Sequence, residues 1–292
     1  MRLKRFSKNS ARAVLVVSFF VVFGCTTSTQ PTYLKENIDE AIQDICKKEY
    51  KLDVKAKLIG STLWIYLPLE NIFTQADKPE KYIEYYLIER NASELKDKTL
   101  KVEYLIQQIP EQEKYQEIKY SKSAVEKIHC VWKVLRRVIF SMERGKRNEP
   151  QFFVLVTADI KTGIIIQELF YYLDLKKVSY EFISWTEYQH RSIQDIRIAP
   201  QIIGDKEGLY LEYKDITLED FLANQIQHRI KLKFQKPEVE KNTDIDKEIL
   251  KVIVYTLKAY GFKNFSSVEL NNLVTQNKII LNQAAIWARP TE

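Results

Sequence analysis

Residues 152 to 172 constrain the fold more than any other stretch. Phe152 to Asp159 is apolar and β-branched, Lys161-Thr162-Gly163 has turn chemistry, and Ile164 to Tyr172 returns. This pattern reads as a β-hairpin. The unbroken apolar run Phe152 to Val156 suggests a strand covered on both faces. Just before it, Ser123 to Glu143 reads as the longest helix. Val125, Ile128, Trp132, Leu135 and Ile139 form one stripe, with Val131, Val134, Val138 and Met142 beside it. The apolar half should pack on the sheet, leaving His129, Lys133, Arg136 and Arg137 toward water.

The same order, helix then hairpin, occurs three times: 35–67, 123–172 and 244–287. In the first copy, Ile38, Ala41, Ile42 and Ile45 share one helix face. Val54 to Ile59 and Thr62 to Leu67 follow as strands around Gly60-Ser61. In the last, Asp244 opens a helix that Gly261 closes. Val268 to Thr275 and Lys278 to Trp287 then make a hairpin around Gln276-Asn277. Between the copies, 70–98 fits helix or strand equally. Leu100 to Ile109 reads as a strand closed by Pro110, and Glu111 to Lys122 as an exposed strand or loop. Ser184-Trp185-Thr186-Glu187 has the form of a capping box opening a short helix to about Ile193. Gly208 to Tyr213 reads as a strand, and Thr217 caps a helix from Leu218 to about Phe234. The copies share no residue motif. Their order gives an α+β fold, with antiparallel sheet built from hairpins and helices packed on it. The globular region is 35–292, and a division into 35–120 and 121–292 is left open.

The N-terminus carries a different kind of signal. Arg2, Lys4, Arg5, Lys8 and Arg12 precede an apolar segment, Ala13 to Phe23, interrupted only by Ser18. That order describes a secretory signal, and the run is too short to span a bilayer, which takes about 20 residues. With Val22-Phe23-Gly24-Cys25 at its end, the segment resembles a bacterial lipoprotein signal peptide, residues 1–24, followed by a polar tether, 25–34. The resemblance implies a diacylglycerol on the Cys25 thiol, cleavage before it, and acylation of the new amino group. Two or more acyl chains hold a protein stably, at about 0.8 kcal/mol per buried CH₂. Thr26 rather than Asp after the cysteine implies sorting to the periplasmic side of the outer membrane. An uncleaved N-terminal anchor is the alternative.

Composition matters here mainly through charge. The chain carries 45 Lys and Arg against 39 Asp and Glu, a net +6. Without residues 1–24 the basic count is 40 and the net charge about +1. The basicity therefore belongs to the signal, and no nucleic-acid partner is expected. Seven glycines and no GxGxxG or GxxxxGK[ST] run leave no phosphate-cradling loop. Cys46 and Cys130 remain after the lipidated cysteine, and an oxidising compartment permits a disulfide between them.

Side chains with catalytic potential are dispersed. Glu187 and His190 have E-x-x-H spacing, but carboxylate-bridged metal sites need that motif twice. His129, His190 and His228 fall on three helices without close metal spacing. Asp159 sits where Asp is also an ordinary turn residue. The cluster Lys133, Arg136, Arg137, Arg144, Lys146 and Arg147 reads as a solvated surface or as a contact for anionic headgroups. No cofactor is expected. The sequence thus reads as a lipid-anchored binding or assembly component of the cell envelope, held to the membrane through Cys25 and meeting an envelope protein partner. The rivals are an envelope enzyme with a site assembled across loops, and a purely structural subunit.

Overall fold

Strand β5 (Phe152–Asp159) is buried along its whole length, and the rest of the molecule is layered on its two faces. The computed structural model describes residues 37–141, 150–235 and 239–290. The signal-like segment, Cys25, the tether, Met142, Arg144, Lys146 and Arg147 lie outside the described residues.

The fold is α+β, with two sheets. The first has the order β1 (Lys55–Ile59), β2 (Thr62–Leu69), β5, β6 (Ile164–Tyr171), β7 (Ile193–Ile198). The second has the order β3 (Phe73–Lys96), β4 (Thr99–Tyr120), β8 (Ser267–Asn272), β9 (Asn277–Asn282). The hairpins are antiparallel as expected. They are joined by parallel pairs, β2 with β5 and β4 with β8, so each sheet is mixed. These joins also cross residue 120: both sheets draw strands from 35–120 and from 121–292.

Alternation sorts side chains between the layers. Leu63, Ile65, Phe153, Leu155, Ile166 and Phe170 face helices α1 (Ile38–Tyr50) and α2 (Lys122–Phe140). Ser121 caps α2 by accepting from Ala124 N. Leu135 and Ile139 are buried as the stripe required, but Trp132 is only half-buried, edge-on to Phe170 at 4.4 Å. On the opposite face, Trp64, Tyr66, Phe152, Val154 and Val156 meet α5 (Leu218–Gln235), α6 (Ile245–Ala259) and the second sheet. At the end of α6, Phe262 N bonds Leu257 O at 3.0 Å and Gly261 N bonds Lys258 O at 3.0 Å, the paired closure expected with glycine at C′.

Four stretches differ from the sequence reading. Residues 73–120 form one long ribbon, turned at Asp97-Lys98, where both φ values are positive (49° and 61°). Two such residues make the tight turn that matches strand twist. Pro110 does not end β4, because it falls between Gln108 and Gln112 where the register shifts and no ladder donor is needed. Pro79 sits in a second irregularity, between Gln75 and Glu80. Residues 208–213 are a loop rather than a strand. Asp205 Oδ1 accepts from Glu207 N and Gly208 N, and Tyr66 OH donates to Asp205 O at 2.6 Å. Gly208 (φ 72°) lies so close under Tyr213 OH that a Cβ would come within 2.6 Å of it. The final strand stops at Asn282, whose side chain accepts from Ala285 N and starts helix α7 (Gln283–Ala288). Lastly, Tyr172 begins helix α3 (Tyr172–Ser179), ahead of α4 (Trp185–Arg191).

Candidate binding cleft

Helix α5 has two working sides. Thr217 Oγ1 starts it by accepting from Asp220 N at 3.0 Å. Phe221, Ile226, Ile230 and Phe234 are fully buried in the core. A second stripe, Asp220, Asn224, Gln227, His228, Lys231 and Gln235, recurs at helical spacing and lines a cleft of about 610 Å³. Its other walls are the middle of the ribbon, Glu84 to Asn91 on β3, and the face of the first sheet at Gln167, Leu169, Ile193 and Asp195. Both β3 and β7 are edge strands of their sheets.

The polar lining mixes carboxamides, Asn91, Gln167, Gln194, Asn224, Gln227 and Gln235, with charged side chains of both signs, Glu84, Glu89, Asp195, Asp220, Lys214 and Lys231. Asn91 Nδ2 donates to Gln227 O at 2.7 Å and so ties ribbon to helix. Asn91 Oδ1 is buried and has no hydrogen-bond partner among the described residues. Burial pushes the His228 pKa down to about 4, and the positive charges of Lys231, Arg229 and His190 push the same way. His228 is therefore neutral at pH 7, with one ring nitrogen able to donate and the other to accept.

Behind α5 lies a buried ionic network that fixes its position. Glu187 Oε1 accepts from Arg191 Nε at 2.6 Å, Arg229 Nη2 at 2.9 Å and Tyr255 OH at 2.6 Å. Asp174 accepts from Arg191 Nη1 at 2.8 Å and Tyr260 OH at 2.7 Å. Two carboxylates face two guanidiniums, with Lys177 Nζ a further 3.8 Å from Asp174 Oδ1, and these pairs join α3, α4, α5 and α6. Burial alone raises the Glu187 pKa, but the bonds from Tyr255 and Arg191 and the charge of Arg229 outweigh it, and the net shift is downward. The capping box is thus half formed. Ser184 accepts from Glu187 N at 3.0 Å, while the Glu187 side chain turns into this network.

The structure does not bring the sequence candidates together. Asp159 is buried at the β5–β6 turn, accepting from Ile72 N at 3.0 Å, Lys161 N at 3.1 Å and Thr162 N at 3.2 Å, which is a turn-holding role. Glu187 belongs to the network. His190 offers its carbonyl to Gln225 Nε2 at 2.7 Å, and its charge acts on His228. His129 is exposed on α2. Among the described residues no group of three or more His, Cys, Asp and Glu is arranged to hold a metal. Cys46 and Cys130 are free thiols, so the bridge that the sequence left open is not made. Burial, then the neighbouring Cys130, pushes the Cys46 thiol up to about 12. Of the basic cluster, Arg137 makes a two-pronged pair with Glu49 at 2.9 and 2.7 Å, and Arg136 reaches Ser179 Oγ at 3.4 Å.

Sequence reasoning missed the cleft. Its only trace was the second stripe on the 218–235 helix, which is amide-rich where a solvated face usually carries charge. No protein family, curated protein or solved structure matches the chain.

Proposed function

We propose that this chain is a non-catalytic binding component of the cell envelope, lipid-anchored through Cys25 at the periplasmic face of the outer membrane. The cleft between α5, β3 and β7 is its binding surface. The polar lining carries the reading: six carboxamides set among charged side chains of both signs. Asn and Gln side chains offer donors and acceptors together but do not titrate, so they recognise a hydrogen-bonding ligand without moving its protons. A polar cleft of this size, held by a rigid ionic network on one side and by the ribbon on the other, suits a partner segment rich in amide or hydroxyl groups. The basic-apolar-Gly24-Cys25 order supports the anchor. No helix among the described residues is long and apolar enough to cross a membrane.

The test is site-specific photocrosslinking in native membranes, with full-length protein. A crosslinker at Gln227, inside the cleft, should give an envelope adduct, and one at the exposed Asp44 on α1 should not. Equal labelling from the two positions, or none from Gln227, would refute the cleft as binding surface. Mass spectrometry of the membrane-extracted protein should show an acylated N-terminal Cys25, and an acyl-free chain starting at Met1 would sink the anchor.

A further inference from the structure

Phe182 is an anomaly in a folded chain: a phenylalanine with 79% of its surface exposed. It is held there by specific geometry. Helix α3 ends with Phe182 N bonding Lys177 O at 2.8 Å and Glu181 N bonding Val178 O at 3.2 Å. This closure needs a left-handed residue at Glu181 (φ 61°), a position where glycine is the easy choice. In such closures the following apolar residue usually folds back onto the helix. Here it points away.

Its neighbours are of the same kind. Trp185 is 60% exposed, Tyr180 53% and Phe140 36%. Phe140, the last residue of α2, meets Tyr180 edge-on at 5.9 Å, which joins the two elements into one surface. Trp185 is braced from below by Tyr188 at 5.4 Å. Cations stand beside the aromatics. Lys133 and Arg136 are exposed two turns and one turn before Phe140 on the same side of α2, and Arg136 Nη2 lies 3.4 Å from Ser179 Oγ at the base of the aromatic loop. Glu181 is the acidic residue within the loop.

We propose that this surface, formed by Phe140, Tyr180, Phe182 and Trp185 with Lys133 and Arg136, docks on an anionic lipid bilayer. Trp and Tyr, apolar in body and polar at the tip, are favoured at the level of the headgroups. Lys and Arg next to them add attraction to anionic lipid. The tether is consistent with this. Twelve residues, thirteen Cα–Cα steps, separate Cys25 from the start of α1, which packs beside α2. Extended, they reach at most about 45 Å, more than the roughly 28 Å length of α2. A body anchored at Cys25 can therefore lay the far end of α2 on the same membrane. The proposal rests on the envelope reading above, but the docking itself does not need the acyl chains.

The experiment isolates the surface from the anchor. The full chain carrying Cys25→Ser is compared with the same chain carrying Phe182→Ser and Trp185→Ser as well. Partition is measured by flotation with vesicles of phosphatidylethanolamine and phosphatidylglycerol, and with phosphatidylcholine alone. Any contribution of the N-terminal segment cancels in the ratio. The pair of substitutions should lower partition into the anionic vesicles about tenfold, with no change in thermal melting. A second variant, Lys133→Glu with Arg136→Glu, should lower it in anionic vesicles and leave phosphatidylcholine unaffected. Partition unchanged by both variants overturns the proposal. So does self-association in lipid-free solution that depends on these aromatics while lipid binding does not. An unacylated Cys25 in the wild-type protein would count against the anchor alone, and the ratio would stand.

Discussion

Replacing Glu168 by Gln should stabilise the protein in alkaline solution and do nothing in acid. Glu168 lies on β6 between Ile166 and Phe170, on the face that packs under α1 and α2. Its cross-strand neighbours are Leu155, which is buried, and Gln194, whose Nε2 lies 3.4 Å from Glu168 Oε1. Burial therefore pushes its pKa up from 4.5 to about 7, and the bond from Gln194 offsets little of this. A folded pKa above the unfolded one means that the stability of the neutral form is complete below pH 4.5. It is lost progressively as pH rises to 7, and above that the full penalty applies. Each tenfold weakening of the acid is worth about 1.4 kcal/mol, so the wild-type protein gives up about 3 kcal/mol by pH 8. Gln has the same shape, keeps a partner in Gln194, and has no charge to bury. Urea unfolding followed by tryptophan fluorescence, at intervals from pH 4.5 to 8.5, measures the difference. The gain from Glu168→Gln should be near zero at the acid end and reach about 3 kcal/mol at the alkaline end. A gain that is the same at every pH, or a loss at pH 8, would refute the argument that the carboxyl is held neutral by burial.

Arg191→Met should cost about 3–5 kcal/mol by chemical denaturation, because it takes the guanidinium from the buried Asp174, leaving it Tyr260 OH and the more distant Lys177, and weakens the hold on Glu187. A loss under about 1 kcal/mol would show that the network is solvated. His228→Gln should flatten the acid limb of the stability profile. The histidine's depressed pKa makes the wild type lose stability as pH falls from about 6.5 to about 4, in the sense opposite to Glu168. Titration of stability against pH in the two proteins checks the slope. Trp132→Ala should cost about 2–4 kcal/mol by thermal or urea unfolding, less than for a fully buried ring, since part of it already faces water. Cys46 should resist a thiol reagent at pH 8 until the protein unfolds, because its pKa is about 12. Rapid labelling of Cys46 in the native state would contradict its burial.

The parts of this fold legible in the sequence are those that carry local or periodic signals. The continuous apolar run of β5, the two stripes of α2 and the caps of α5 and α6 each follow from residues a few positions apart. The ribbon did not show itself for the opposite reason. From Asp77 to Lys81 and from Glu111 to Lys119 its side chains are exposed on both faces, so no alternation of apolar and polar residues marks the strands. Its two prolines, at irregularities of the register, look like breaks. The β2–β5 and β4–β8 pairings join segments far apart in sequence, and nothing within either strand names its parallel partner. Residues 208–213 had the composition of a strand, but the Asp205 carboxylate draws the backbone donors of Glu207 and Gly208 to itself. The cleft needs all of these at once, α5, the ribbon and the β6–β7 face. The helix of α5 was legible, but its polar stripe says nothing by itself of what it faces.

The parallel join of β4 to β8 sets a timetable for the chain. Val102 finds its partner in Leu270, and Tyr104 in Asn272. During synthesis or export the ribbon is complete long before the segment that flanks it, and strand pairings so distant in sequence form slowly and stay open to misassociation meanwhile. The second sheet is sealed only when the closing residues arrive. A chain ending anywhere before Ser267 should therefore fail first at residues 99–104, where β4 would be left as a bare edge, rather than at the point of truncation.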